Sequence, residues 1–129
     1  MGKKILILEK DINISYSLQT QFLIVGMDVL LIPETEKDIE LTMDKIIKYS
    51  PDYIIIDLFL RNIDSFSLIK EIKQCNLDVK LFTYTKLNKK LTKKCKENNI
   101  DYFFSSTDLS LNQFAIKTIK TINNLEKIK

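Results

Sequence analysis

Pro51-Asp52-Tyr53-Ile54-Ile55-Ile56-Asp57-Leu58-Phe59-Leu60 sets a turn residue, an unbroken apolar run and a carboxyl group in succession. A run of this kind, with a β-branched centre, reads as a strand buried on both faces, the mark of a central strand in a parallel sheet. Asp57 falls where the strand gives out. In open α/β folds the ligand crevice lies beyond the carboxyl ends of the strands, so this acid stands where chemistry would occur. The plainer reading makes Asp57 a turn cap or the partner of a lysine.

Outward from this stretch, the same alternation repeats. Residues 4–9 (Lys-Ile-Leu-Ile-Leu-Glu) form a second buried-strand candidate that ends on an acid. Asp11 or Asn13 then caps a helix carrying Ile14, Leu18, Phe22 and Val25 at helical spacing, and Gly26 stops it. Residues 27–32 form a short strand. Pro33-Glu34-Thr35 opens a helix with Ile39, Met43, Ile46 and Ile47 inward. After Asp57 a loop over 58–64 leads to a helix burying Leu68, Ile69 and Ile72. Residues 79–84 form a fourth strand, followed by a helix with Leu87, Leu91 and Cys95 as its stripe. Residues 100–104 form a fifth strand, and Ser105-Ser106-Thr107-Asp108 caps a last helix near Leu111, Ala115, Ile119, Ile122 and Leu125. Five βα units in strict alternation predict one flavodoxin-like α/β domain over residues 1–129, with a doubly wound parallel sheet of strand order 2-1-3-4-5. Residues 123–129 read as a helix end or a linker.

Composition narrows the function. The chain has 129 residues, 45% hydrophobic and 29% charged, as expected of one globular domain. No apolar run is long enough to cross a bilayer, and the first residues lack a signal-peptide pattern, so a cytoplasmic location and no membrane partner are expected. The absence of histidine removes His-based triads, His metal sites and a histidine phosphocarrier. The only glycines are Gly2 and Gly26, which excludes glycine-rich phosphate cradles. Cys75 and Cys95 lie in separate predicted helices without CxxC spacing and read as buried or half-buried free thiols. Net charge is +3, carried almost wholly by lysine, which gives no argument for direct nucleic-acid binding.

From residue 3 to about 122, the chain resembles the receiver domain of bacterial response regulators. The opening Lys-Ile-Leu-Ile-Leu-Glu-Lys-Asp is similar to the family's first strand and acidic cluster. Residues 57–66 are similar to its phosphoacceptor segment. Residues 79–84 resemble the strand that ends in a switch hydroxyl, and 99–104 the segment carrying a switch aromatic. The resemblance implies two-component (phosphorelay) signalling, with Asp57 at the phosphoacceptor position, Thr83 as switch hydroxyl and Tyr102 as switch aromatic. It implies a partner sensor histidine kinase or other signalling protein, and a homodimer through the face made by helix 4, strand 5 and helix 5. In the family an aspartate takes a phosphoryl group from the kinase's histidine, and Mg²⁺ held by neighbouring acids offsets the charge.

The departures bear on that chemistry. Lys10 stands where the second acid of the metal pair is expected, leaving Glu9 and Asp57 as the acids of a Mg²⁺ site. Ser105 replaces the lysine expected after the fifth strand, Ser106 the following proline, and Tyr84 the small residue after the switch hydroxyl. Asn62 stands in a loop that lacks the usual glycine. An ammonium among two acids repels Mg²⁺ and can pair with Asp57. Metal-dependent phosphorylation is therefore expected to be weak or absent. The alternative function is a phosphorylation-independent pseudo-receiver that acts as a protein–protein interaction module. The lysines at 86, 89, 90, 93, 94 and 96 read either as a solvated helix face or as a docking surface for an acidic partner.

Overall fold

Strands that pair in parallel cannot be joined by a tight turn, so the chain must cross back between them, usually through a helix. The computed structural model describes residues 3–33, 35, 37–75 and 78–128. Its elements are β1 (Lys4–Leu8), α1 (Ile12–Ile24), β2 (Asp28–Ile32), α2 (Ile39–Tyr49), β3 (Tyr53–Ile56), α3 (Ser65–Gln74), β4 (Lys80–Thr85), α4 (Lys89–Glu97), β5 (Tyr102–Ser105) and α5 (Leu111–Ile128). All strand pairs are parallel and the order is β2-β1-β3-β4-β5, as the alternating pattern predicts.

β3 is the middle strand, and all four of its residues are buried. Ile54 and Ile56 join Leu6, Met43, Ile46 and Ile69 on the side of α2, α3 and α4. Tyr53 and Ile55 join Leu18, Phe22, Phe82 and Phe114 on the side of α1 and α5. The two apolar clusters thus share one sheet, and alternate residues of each inner strand feed opposite clusters.

Asp101 staples the amino-terminal end of the sheet. It accepts from the Leu81 backbone N–H at 2.8 Å and pairs with Lys73 at 3.2 Å. Tyr53 donates its hydroxyl to Glu126, which also pairs with Lys3 at 3.0 Å, so α5 is tied to the base of β3 and β1.

Several helix limits differ from the sequence reading. α2 starts at Ile39 with Asp38 as its cap, so Pro33 and Thr35 lie outside it, and Glu34 lies outside the described residues. Val25 and Ile47 are half exposed and leave their predicted core stripes; Ser15 and Thr42 are buried instead. Leu87 precedes α4, whose cap is Asn88. β5 runs to Ser105, and α5 is capped by Ser110 in a reciprocal box with Gln113, at 2.8 and 3.1 Å, rather than by 105–108. Cys75 closes α3 and is exposed, whereas Cys95 is buried. Gly26 has φ +85°, the left-handed turn that its position after α1 requires. Asn62 does not adopt that conformation; Ser50 and Asn99 do, each just after a helix.

Burial fixes the expected cost of truncation. Ile54→Ala is expected to lose about 2–5 kcal/mol of stability in urea unfolding, because its side chain fills the centre of the sheet. Ile47→Ala, at a half-exposed position, is expected to stay within about 0.5 kcal/mol.

Candidate functional site

The strand order sets the carboxyl ends of β1 and β3 side by side, and this is where the chain changes direction across the sheet. Leu8 pairs with Ile56, and the Asp57 N–H donates to the Leu8 carbonyl at 2.8 Å. Glu9 and Lys10 follow Leu8 directly, so Glu9, Lys10 and Asp57 converge at one edge as the sequence reading required.

Asp57 is buried and held at several atoms. Its Oδ1 accepts from the Phe59 N–H at 2.8 Å, which fixes the turn after β3. Its carbonyl accepts from the Ser65 hydroxyl at 2.7 Å, and the same Ser65 oxygen accepts from the Leu60 N–H at 3.2 Å. Ser65 is therefore the residue that folds the loop back onto Asp57, with Asp64 capping α3 beside it. Sequence reasoning missed Ser65. Its signal was a hydroxyl one residue after a helix cap, a pattern too common to single out.

Asp57 Oδ2 is buried and meets no N–H or hydroxyl donor. The Glu9 carboxyl is the neighbouring acid. Glu9 has its pKa pushed up to about 8, first by burial and then by its hydrogen bond with Asp57; the Asp11 N–H, donating at 3.1 Å, opposes the rise. Burial and the neighbouring Asp57 carboxyl both favour the protonated form of Glu9.

Lys10 does not pair with Asp57, contrary to one expectation above. Its ammonium donates to the Phe59 carbonyl at 2.7 Å and lies 5.8 Å from the centre of the Phe59 ring. The Asp57 side chain and the Lys10 ammonium are thus bound to the N–H and the C=O of one residue, and Phe59 bridges the two strand ends. Asp11 turns away and caps α1, accepting from Asn13 and Ile14.

The Lys10 ammonium, bound to the Phe59 carbonyl beside the two acids, opposes a divalent cation there by like charge. Among the described residues, no three His, Cys, Asp or Glu side chains converge in a way that could hold a metal ion.

The outlying site residues are engaged elsewhere. Continuing the Ile55–Phe82 register sets Thr83 beside Ile56, and the Thr83 hydroxyl donates to the Ile56 carbonyl at 2.8 Å. Tyr84 follows alongside Asp57. Its ring stacks on Phe114 with centroids 4.7 Å apart, and its hydroxyl donates to the Leu109 carbonyl at 2.7 Å. Tyr102 is half-buried and stacked on Phe82, also at 4.7 Å. Ser105 contacts the Thr107 hydroxyl at 2.8 Å and accepts from the Leu87 N–H at 3.3 Å, which joins the loops after β4 and β5. Thr83, Tyr102 and Ser105 belong to β4 and β5, whereas Glu9, Lys10 and Asp57 stand at the ends of β1 and β3.

No family model and no curated protein matches the sequence. Solved structures do. A CheY-like response regulator receiver domain protein from Methanospirillum hungatei superposes with a TM-score of 0.81 at 15% identity, covering 100% of both chains. Chemotaxis protein CheY4 of Vibrio cholerae gives 0.77 at 15% identity, over 94% of this chain and 98% of that one. The receiver domain of Francisella response regulator 1452 gives 0.74 at 20% identity, over 90% and 93%. The fold is that of response-regulator receiver domains.

The Glu9 carboxyl sets a pH dependence. A carboxyl whose pKa is raised by folding favours the fold below the unfolded value of 4.5, and that advantage is lost as pH climbs toward about 8. Glu9→Gln keeps a donor without the ionisation. It is expected to be more stable than the parent at pH 8 by about 1–2 kcal/mol after allowance for solvent screening, with the gap closing near pH 5. Urea midpoints across that pH range measure it; a gap that does not change with pH would contradict the raised pKa.

Proposed function

We propose that this chain is a signalling module of the receiver fold that works through protein contacts, a pseudo-receiver in which metal-dependent phosphorylation has lapsed. The observation that carries this reading is the Lys10 ammonium bound at 2.7 Å to the Phe59 carbonyl, beside the Glu9 and Asp57 carboxyls. A tethered cation there supplies permanently what a metal would supply on demand, and it does so without leaving open coordination positions.

Two further features support it. The Thr83 hydroxyl is committed to the Ile56 carbonyl, and Ser105 offers no positive charge to a phosphoryl group. The basic α4, with Lys89, Lys90 and Lys93 exposed, then serves as a face for an acidic signalling partner, a kinase or another regulator. Lys94 lies over the Phe66 ring at 4.8 Å and so contributes packing as well as charge.

One observation favours the second reading, a phosphotransfer acceptor with Asp57 as nucleophile. Asp57 Oδ2 has no N–H or hydroxyl donor, which leaves a lone pair for attack if Glu9 gives up its proton.

Incubation with acetyl phosphate and MgCl₂, followed by intact-protein mass spectrometry, separates the two. The expected outcome is no phosphoryl adduct on the parent chain, and an adduct on Lys10→Asp combined with Ser105→Lys. A stoichiometric adduct on the parent that Asp57→Asn abolishes would establish the phosphotransfer reading instead.

A further inference from the structure

The outer edge of β2 carries a groove to which the Asp57 site assigns no role. β2 pairs with β1 alone, so every second backbone N–H and C=O along it faces outward without a strand partner among the described residues. A cavity of about 840 Å³ lies along this edge, and Leu30, Leu31, Ile32 and Pro33 line it consecutively. Successive strand residues point to opposite faces, so a cavity lined by four in a row wraps the strand's edge rather than one side of the sheet.

Chemistry differs between the two flanks. Leu30 and Ile32 belong to the side covered by α2, where Lys45 and Lys48 stand over the groove. Leu31 belongs to the other side, where half-exposed Ile12 opens α1. Lys10 and Arg61, the only arginine of the chain, also line the groove. No acidic side chain lines it among the described residues. Lys48 and Arg61 are exposed and form no ion pair among them.

We propose that β2 takes up an extended peptide as a sixth strand, one whose side chains alternate between carboxylate and apolar. The outward backbone groups hydrogen-bond the peptide main chain. Side chains on the α2 flank place carboxylates against Lys48 and Arg61, and those on the other flank bury apolar surface beside Leu31 and Ile12. A second copy of this chain is a poor occupant, since edge-to-edge pairing would bring the lysines and arginines of both grooves together. The inference does not rest on whether Asp57 is phosphorylated.

The test uses a fluorescein-labelled peptide of alternating glutamate and valine, about eight residues long to match a strand. Anisotropy at low salt is expected to show saturable binding that weakens with added NaCl, while amide shifts of the ¹⁵N-labelled protein move at Leu30–Ile32. N-methylation of alternate peptide amides is expected to weaken binding by about tenfold or more, because it removes strand hydrogen bonds and keeps every carboxylate. Lys48→Glu with Arg61→Glu, both at exposed positions, is expected to weaken it by about tenfold as well. Absence of saturable binding overturns the proposal. So does equal binding of the N-methylated peptide, or displacement of the peptide by dodecanoate with no shift at β2 amides, which would mark a site for small anionic amphiphiles. Concentration-dependent dimerisation in sedimentation that moves the β2 amides would assign the edge to a second copy instead.

Discussion

A strand that exposes neither face must find backbone partners on both sides and apolar cover above and below. Tyr53–Ile56 meets all four demands, with β1 and β4 as neighbours and the two clusters as cover. Everything at the site follows from this constraint. Because β3 cannot shift without turning its isoleucines out of both clusters, the position of Asp57 at its end is set to within the register of its pairing with β1. The Asp57 N–H bond to Leu8 continues that register one residue beyond the strand.

The edge so defined is a compact electrostatic compromise. Three ionisable residues lie at the ends of two adjacent strands, and each is held by a different backbone group. Asp57 accepts from the Phe59 N–H, Glu9 accepts from the Asp11 N–H, and Lys10 donates to the Phe59 carbonyl. The direct Lys10–Asp57 ion pair that charge alone would suggest is replaced by a bridge through the peptide groups of Phe59. A hydrogen bond to the carbonyl leaves the ammonium partly solvated over an aromatic ring, and so avoids the full desolvation of a buried ion pair.

The same logic separates the two halves of the sheet's upper edge. Around β1 and β3 the groups are ionisable and lie at adjoining strand ends. Around β4 and β5 they are hydroxyls and aromatics tied to main-chain carbonyls or stacked on Phe82 and Phe114. This second half packs as core, and Tyr84 and Tyr102 extend the α5 cluster to the rim of the sheet.

Much of this was legible in the residues alone. Apolar runs of strand length alternating with helical stripes gave the five βα units, and the run ending on Asp57 gave the middle strand, because burial on both faces leaves an unmistakable pattern. A cap at Asp11 or Asn13 and the Gly26 stop were legible for the same reason: they are local, and local backbone geometry selects those residue types; the structure chose Asp11. What the sequence did not carry was non-local. The start of α2 at Ile39, the exposure of Cys75 and Val25 and the capping of α5 by Ser110 depend on where neighbouring elements end. The role of Ser65 depends on a loop closing back onto Asp57. The choice of the Phe59 carbonyl by Lys10 depends on angstrom-scale distances between two strand ends, and only the folded sheet fixes those.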